Sequence, residues 1–346
     1  MVDPKYAFIS AYLKGEEARI VTTEHVGRIL KAASLQDVLA VVADTDIGDY
    51  FEGTLVKSFD ELDDHLWRYL GRCTGQIQAF KFVPSAVLEM LKAYLAKYDV
   101  LNIKATWQRI SGGHKANLIP VGTIHGSGLL AELAGAEDLT AVVELLNKAK
   151  LLGYAAIVGQ YDTDEGAKAL RLAEARLDGE YYTELLRVVK GVKDGPALAK
   201  ALAVVIDLLN LQIVLRAVAR GMVAEVAEYT ISGGYIITGE LIKELLALKL
   251  GDIPARLAGT PYHDVAEEIV SGYSRTKSLA SIDEAIGSYR FVMLKETLST
   301  RMMSPLLIAW YLTLKEAEIR NLRLILKATL DRVPLDGVRN YLVLGS

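Results

Sequence analysis

The 346-residue chain sets 39 Lys and Arg against 43 Asp and Glu, a net charge of −4, so no basic excess points to nucleic acid. Hydrophobic residues make up 51% and mean hydropathy is +0.24, which calls for a densely packed interior, a large apolar contact surface or a membrane. A single cysteine, Cys73, excludes an internal disulfide, no signal-peptide pattern opens the chain, and the expected compartment is the reducing cytoplasm.

Apolar residues recur at helical spacing and strand-like alternation is scarce, so the expected fold class is all-α. In chain order, a leucine-rich helix over 26–33 leads to Asp37-Val38-Leu39, and an amphipathic helix then carries Leu66, Trp67 and Tyr69. A long helix follows over 83–108, with Pro84 in the first turn, where a missing N–H is harmless. After the glycine-containing turn Ile119-Pro-Val-Gly-Thr-Ile124, the same series recurs: a helix over 129–134, Asp138-Leu139, Tyr181 and Tyr182, and a long helix over 197–219. The turn Ile231-Ser-Gly-Gly-Tyr-Ile236 opens a third round, with a helix over 241–248, Asp252-Ile253, Tyr289 and Phe291, and a helix over 305–330 begun by Pro305.

Each long helix carries one copy of a short motif, an acidic residue three places before an asparagine, then an aliphatic and a long polar residue. The copies are Asp99-Val-Leu-Asn102-Ile-Lys104, Asp207-Leu-Leu-Asn210-Leu-Gln212 and Glu318-Ile-Arg-Asn321-Leu-Arg323. The asparagines stand 108 and 111 residues apart, which divides the chain into helical units 1–117, 118–229 and 230–346. Positions three apart share a helical face, so each acid neighbours its asparagine. An asparagine in an apolar seam is expected to hydrogen-bond a neighbouring helix and fix its register. The alternative is that these residues line a cavity facing a partner. The segment 201–219 is apolar enough to suggest a membrane span, but Asp207, Asn210, Gln212 and Arg216 inside it favour a core helix.

No catalytic or cofactor pattern emerges. Asp60-Glu-Leu-Asp63-Asp64 has the look of the acidic magnesium motifs of helical prenyl-pyrophosphate enzymes, but no second such motif follows, and acids are favoured at a helix N-terminus. The glycine pairs Gly112-Gly113 and Gly233-Gly234 lack the Lys and Ser or Thr that close a phosphate-cradling loop. His25, His65, His114, His125 and His263 are isolated, without metal-ligand spacing, and Ser127 in His-Gly-Ser-Gly lacks the nucleophile-elbow pattern. The expectation is a non-enzyme with no catalytic residue, cofactor, metal or nucleotide.

The chain resembles the C subunit of archaeal and bacterial A-type or V-type rotary ATPases, equivalent to the d subunit of eukaryotic vacuolar ATPases. The resemblance runs the full length. It rests on Tyr6-Ala-Phe-Ile-Ser-Ala-Tyr12 with Ala18-Arg19, on Tyr98-Asp-Val-Leu-Asn-Ile-Lys104, on Ile231-Ser-Gly-Gly-Tyr-Ile236, on Lys315-Glu-Ala-Glu-Ile-Arg-Asn-Leu-Arg323, and on Val338-Arg339. Leu101, where such proteins often carry a polar residue, and Gln212, in place of a basic one, depart from the pattern.

The resemblance implies three similar helical units around a pseudo-threefold axis as a funnel. It implies a non-catalytic central-stalk protein, peripheral on the cytoplasmic face of the membrane, that couples the central shaft to the proteolipid ring. Arg109, Arg216, Arg323 and Lys327, on or just after the motif helices, are the candidate contacts for an acidic shaft tip. The competing expectations are a helical-repeat scaffold for a soluble partner and a magnesium-dependent enzyme using Asp60, Asp63 and Asp64.

Overall fold

A computed structural model describes residues 4–32, 34–52, 58–113, 116–161 and 167–343. The α-helices in chain order are α1 Pro4–Glu17, α2 Thr23–Ile29, α3 Leu35–Val41, α4 Asp46–Phe51, α5 Phe59–Ala79 and α6 Ser85–Gly112. They continue with α7 Thr123–Gly126, α8 Leu130–Gly135, α9 Leu139–Lys148, α10 Leu152–Gln160, α11 Ala167–Val189 and α12 Gly195–Arg220. The last are α13 Gly239–Leu246, α14 Ile253–Arg256, α15 His263–Thr276, α16 Ala280–Leu298 and α17 Pro305–Leu330. No strand occurs among the described residues, so the all-α expectation holds.

Local chemistry sets the ends of these helices. Ser58, Asp138, Thr238 and Ser304 each stand in extended backbone and cap a helix N-terminus with a side-chain oxygen, taking the N–H of Glu61, Ala141, Leu241 and Leu306. Pro305 occupies the first turn of α17, and Gly221 in the left-handed conformation ends α12.

The chain forms two compact units, residues 1–88 with 291–346, and residues 89–290; the division falls inside α6 and α16. In the first unit α17 lies against α1, α3 and α5. Its residues Leu306 to Leu312 are all buried, so the helix is enclosed on every side there, the reason its sequence is apolar all round. In the second unit α11 packs on α10 and α12, and α12 on α13. Helix α12 is long and apolar enough to cross a membrane by length and composition alone. Its polar residues Asp207 and Asn210 are fully buried among protein groups, which accounts for the apolar sequence as that of a core helix.

Candidate functional site

Each motif asparagine grips a single residue of an extended segment with both ends of its amide. Asn102 Oδ1 accepts the N–H of Ile119 at 2.7 Å and its Nδ2 donates to the same residue's carbonyl at 2.9 Å. Asn210 repeats the arrangement on Ile231, with both bonds at 2.8 Å. Asn321 does so on Val343, at 2.9 and 2.7 Å. The partner is the segment downstream of each helix rather than the neighbouring helix expected from sequence. The physical reason is that the segment has backbone groups to satisfy and a helix does not.

The acids bind backbone N–H groups at the start of the next round of the repeat. Asp99 accepts from Thr123 and Ile124, both at 2.8 Å. Asp207 accepts from Ile236 at 2.7 Å and Ile237 at 3.0 Å, and from the Tyr262 hydroxyl at 2.7 Å. Glu318 accepts from Val21 at 2.7 Å, so the third copy reaches the segment that opens the first round, 297 positions away in sequence. The glycines of the turns make this approach possible. A Cβ on Gly122, which sits at φ +103°, would come within 2.6 Å of Asp99 Oδ1, and one on Gly234 within 2.1 Å of Asp207 Oδ1. No glycine adjoins Val21 in sequence, and the third acid is the longer Glu.

The long polar residues complete the pattern through an aspartate on the aromatic-bearing helix of the following round. Lys104 pairs with Asp178 of α11 at 2.5 Å, Gln212 with Asp283 of α16 at 2.6 Å, and Arg323 with Asp63 of α5 through both its Nε and a terminal nitrogen. Four residues on, Gln108 donates to Glu174 at 2.6 Å, Arg216 to both oxygens of Asp283 at 2.8 Å, and the Lys327 ammonium lies 5.2 Å from the Phe59 ring centre. Sequence reasoning missed Asp178 and Asp283 and noticed Asp63 only within an acidic run. The signal was present: Asp63, Asp178 and Asp283 each stand three places before a buried Leu66, Tyr181 or Ile286.

The three copies differ electrostatically. Burial pushes Asp99 up to about 6, against the pull of the Ile124 and Thr123 N–H groups. Burial also raises Asp207, opposed by the Tyr262 hydroxyl. The third copy alone contains a fully buried lysine. Lys315 Nζ donates to the Tyr69 hydroxyl at 2.5 Å and Glu318 at 3.2 Å and lies 3.4 Å from Asp46, which accepts the Tyr69 O–H at 2.7 Å. Burial opposes the Lys315 charge, but Glu318 and Asp46 hold its pKa above the usual lysine value. Burial likewise opposes ionisation of Asp46, yet the Tyr69 hydroxyl and Lys315 keep it below the usual carboxylate range. Complete burial raises Glu318 despite Lys315 and the Val21 N–H.

The profile of the ATP synthase (C/AC39) subunit family matches residues 9–341. The chain belongs to this family. Relatives include the A-type ATP synthase C subunit of Methanocaldococcus jannaschii, 27% identical over 98% of this chain and 86% of that protein. The corresponding protein of Methanothermobacter thermautotrophicus is 23% identical over 88% and 80%, and that of Pyrococcus horikoshii 21% over 97% and 90%.

In this C/AC39-family chain the four cations named from sequence are all engaged. Arg216, Arg323 and Lys327 pair with Asp283, Asp63 and Asp331, and Arg109 donates to the carbonyl of Ala136. Arg216 and Lys327 have side chains 38% and 50% exposed, so a second protein can reach them while they are paired. In the acidic run, Asp63 is held by Arg323 and Asp64 by Arg68 at 2.6 Å. Among the described residues no group of three or more His, Cys, Asp or Glu could hold a metal ion, and His114 lies outside them.

Proposed function

We propose that this chain is the non-catalytic central-stalk component of an A/V-type rotary ATPase or ATP synthase, coupling the shaft to the membrane proteolipid ring and passing torque between them. It acts as a peripheral protein on the cytoplasmic face of the membrane, within a complex that moves protons or sodium ions. Its three repeat units, 1–117, 118–229 and 230–346, form a pseudo-threefold funnel. One observation carries this reading beyond family membership. All three copies of the repeated polar motif bind backbone and carboxylate groups of this same chain, as fasteners do. Fasteners between like helical units supply the stiffness that torque transmission requires, and they commit the motif's polar groups to structure rather than to chemistry.

Arg109, Arg216, Arg323 and Lys327 are the proposed shaft-facing cations, with Arg216 and Lys327 the two most open to a partner. Co-purification tests the proposal: the chain is expected to stay with the proteolipid ring in detergent and with shaft proteins in solution. Absence from both assemblies would refute it. Binding to a soluble partner with no membrane association at all would instead identify a helical-repeat scaffold.

A further inference from the structure

The three fasteners are alike in chemistry but not in connectivity. In the first, Asn102 and Asp99 hold one continuous stretch, Ile119 to Ile124; in the second, Asn210 and Asp207 hold Ile231 to Ile237. Both stretches follow directly from the helix that grips them. In the third, Asn321 holds Val343 while Glu318 holds Val21, two segments from opposite ends of the sequence. Here the grip is closed without a connecting turn.

The same place carries an extra set of polar links. Lys315 joins Glu318, Tyr69 and Asp46, the Trp310 indole N–H reaches Glu17 at 3.2 Å, and the Met303 N–H reaches Ser10 at 3.0 Å. At the position equivalent to Lys315 the other two copies have Ala96 and Val204. Where covalent continuity is missing, charge has been added. Every one of these links lies within the unit made of residues 1–88 and 291–346.

We infer that the third fastener is a clasp: Val21 and Val343 part together from Glu318 and Asn321, reversibly, while the first two fasteners stay shut. A protein that receives the end of another needs one place that yields without breaking the chain, and this is the place where no turn has to stretch. Salt weakens the ionic link at its rim, because the Arg323 side chain is 35% exposed; the Arg216–Asp283 pair at the second fastener is as open to screening, but there one continuous stretch of chain keeps the two held segments together. The aromatic cluster of exposed Phe8 and Phe82 with half-buried Phe80 in the same unit is a separate feature, and nothing in the structure shows what covers it.

Hydrogen exchange read by mass spectrometry on the whole chain tests the clasp. Peptides containing Val21 and Val343 are expected to exchange at least tenfold faster than those covering 119–124 and 231–237, and faster again when salt rises from about 0.1 to 1 M. Arg323→Gln is expected to accelerate the first pair about tenfold, whereas Lys104→Gln leaves 119–124 within about twofold. The salt series on the unaltered chain decides the matter if Arg323→Gln does not fold. Equal exchange at all three fasteners overturns the inference. So does acceleration of Val343 without Val21, which is fraying of one segment, or uniform acceleration of all three, which is global unfolding.

Discussion

Replacing Asn210 with leucine separates the fastening role from every catalytic one. The side chains are similar in size, so the change removes two hydrogen bonds without opening a large void. Asn210 is fully buried and Ile231 is 7% exposed, so water does not replace the lost partner. Each orphaned backbone group costs about 1–3 kcal/mol, and burying the leucine returns about 1.5–3 kcal/mol. Two orphaned groups together cost about 2–6 kcal/mol, so the net loss centres on about 2 kcal/mol. The other two copies grade the effect. Asn102→Leu is expected to cost less, because Ile119 is half-buried, and Asn321→Leu least, because Val343 is half-buried as well and Asn321 itself, 7% exposed, is the nearest of the three asparagines to solvent. Equilibrium unfolding in urea, with hydrogen exchange at Ile231 as a local probe, measures the series. The reasoning fails if Asn210→Leu lies within about 0.5 kcal/mol of the unaltered chain, or if Asn321→Leu is the most damaging of the three.

Other outcomes follow from the same geometry. Gly234→Ala forces a Cβ to 2.1 Å from Asp207 Oδ1 and is expected to cost more than about 2 kcal/mol, whereas Gly179→Ala, in mid-helix with nothing within 4 Å, gains about 0.5–1 kcal/mol; melting temperatures of the pair check both. Asp99 binds its proton more tightly folded, at about 6 against an ordinary 3.8, so its contribution falls as pH rises from about 4 to 6 and then levels off. Asp99→Asn is expected to remove that step from a stability-against-pH curve, and a curve still carrying it would assign the step to another group. Glu318→Asp withdraws the carboxylate from Val21 by one methylene and is expected to cost about 1–2 kcal/mol and to speed exchange at Val21, read by mass spectrometry.

Much of the fold was legible because helical periodicity is a local signal, and α6, α12 and α17 extend close to where the apolar spacing put them. The motif was equally legible as a repeat, but its partners were not. A side chain announces that it needs a hydrogen bond, not whose. The apolar seam around Asn102, Asn210 and Asn321 pointed to a neighbouring helix, yet the unmet donors and acceptors belong to Ile119, Ile231 and Val343, whose side chains carry no polar mark. Asp63 was visible only as part of an acidic run, and its bond to Arg323 crosses 260 positions. Val21 and Val343 were out of reach for the same reason: no pattern in sequence joins the two ends of a chain.

The grip of each asparagine also bears on how long the molecule lasts. Asparagine ages by attack of the next residue's backbone nitrogen on its side-chain carbonyl, a reaction that raises the thermal lability of this residue type. In α6, α12 and α17 that nitrogen belongs to Ile103, Leu211 or Leu322 and lies within a helix, where it cannot swing onto the side chain. Placing the amide mid-helix before a bulky aliphatic therefore shields all three fasteners from this route of chemical ageing.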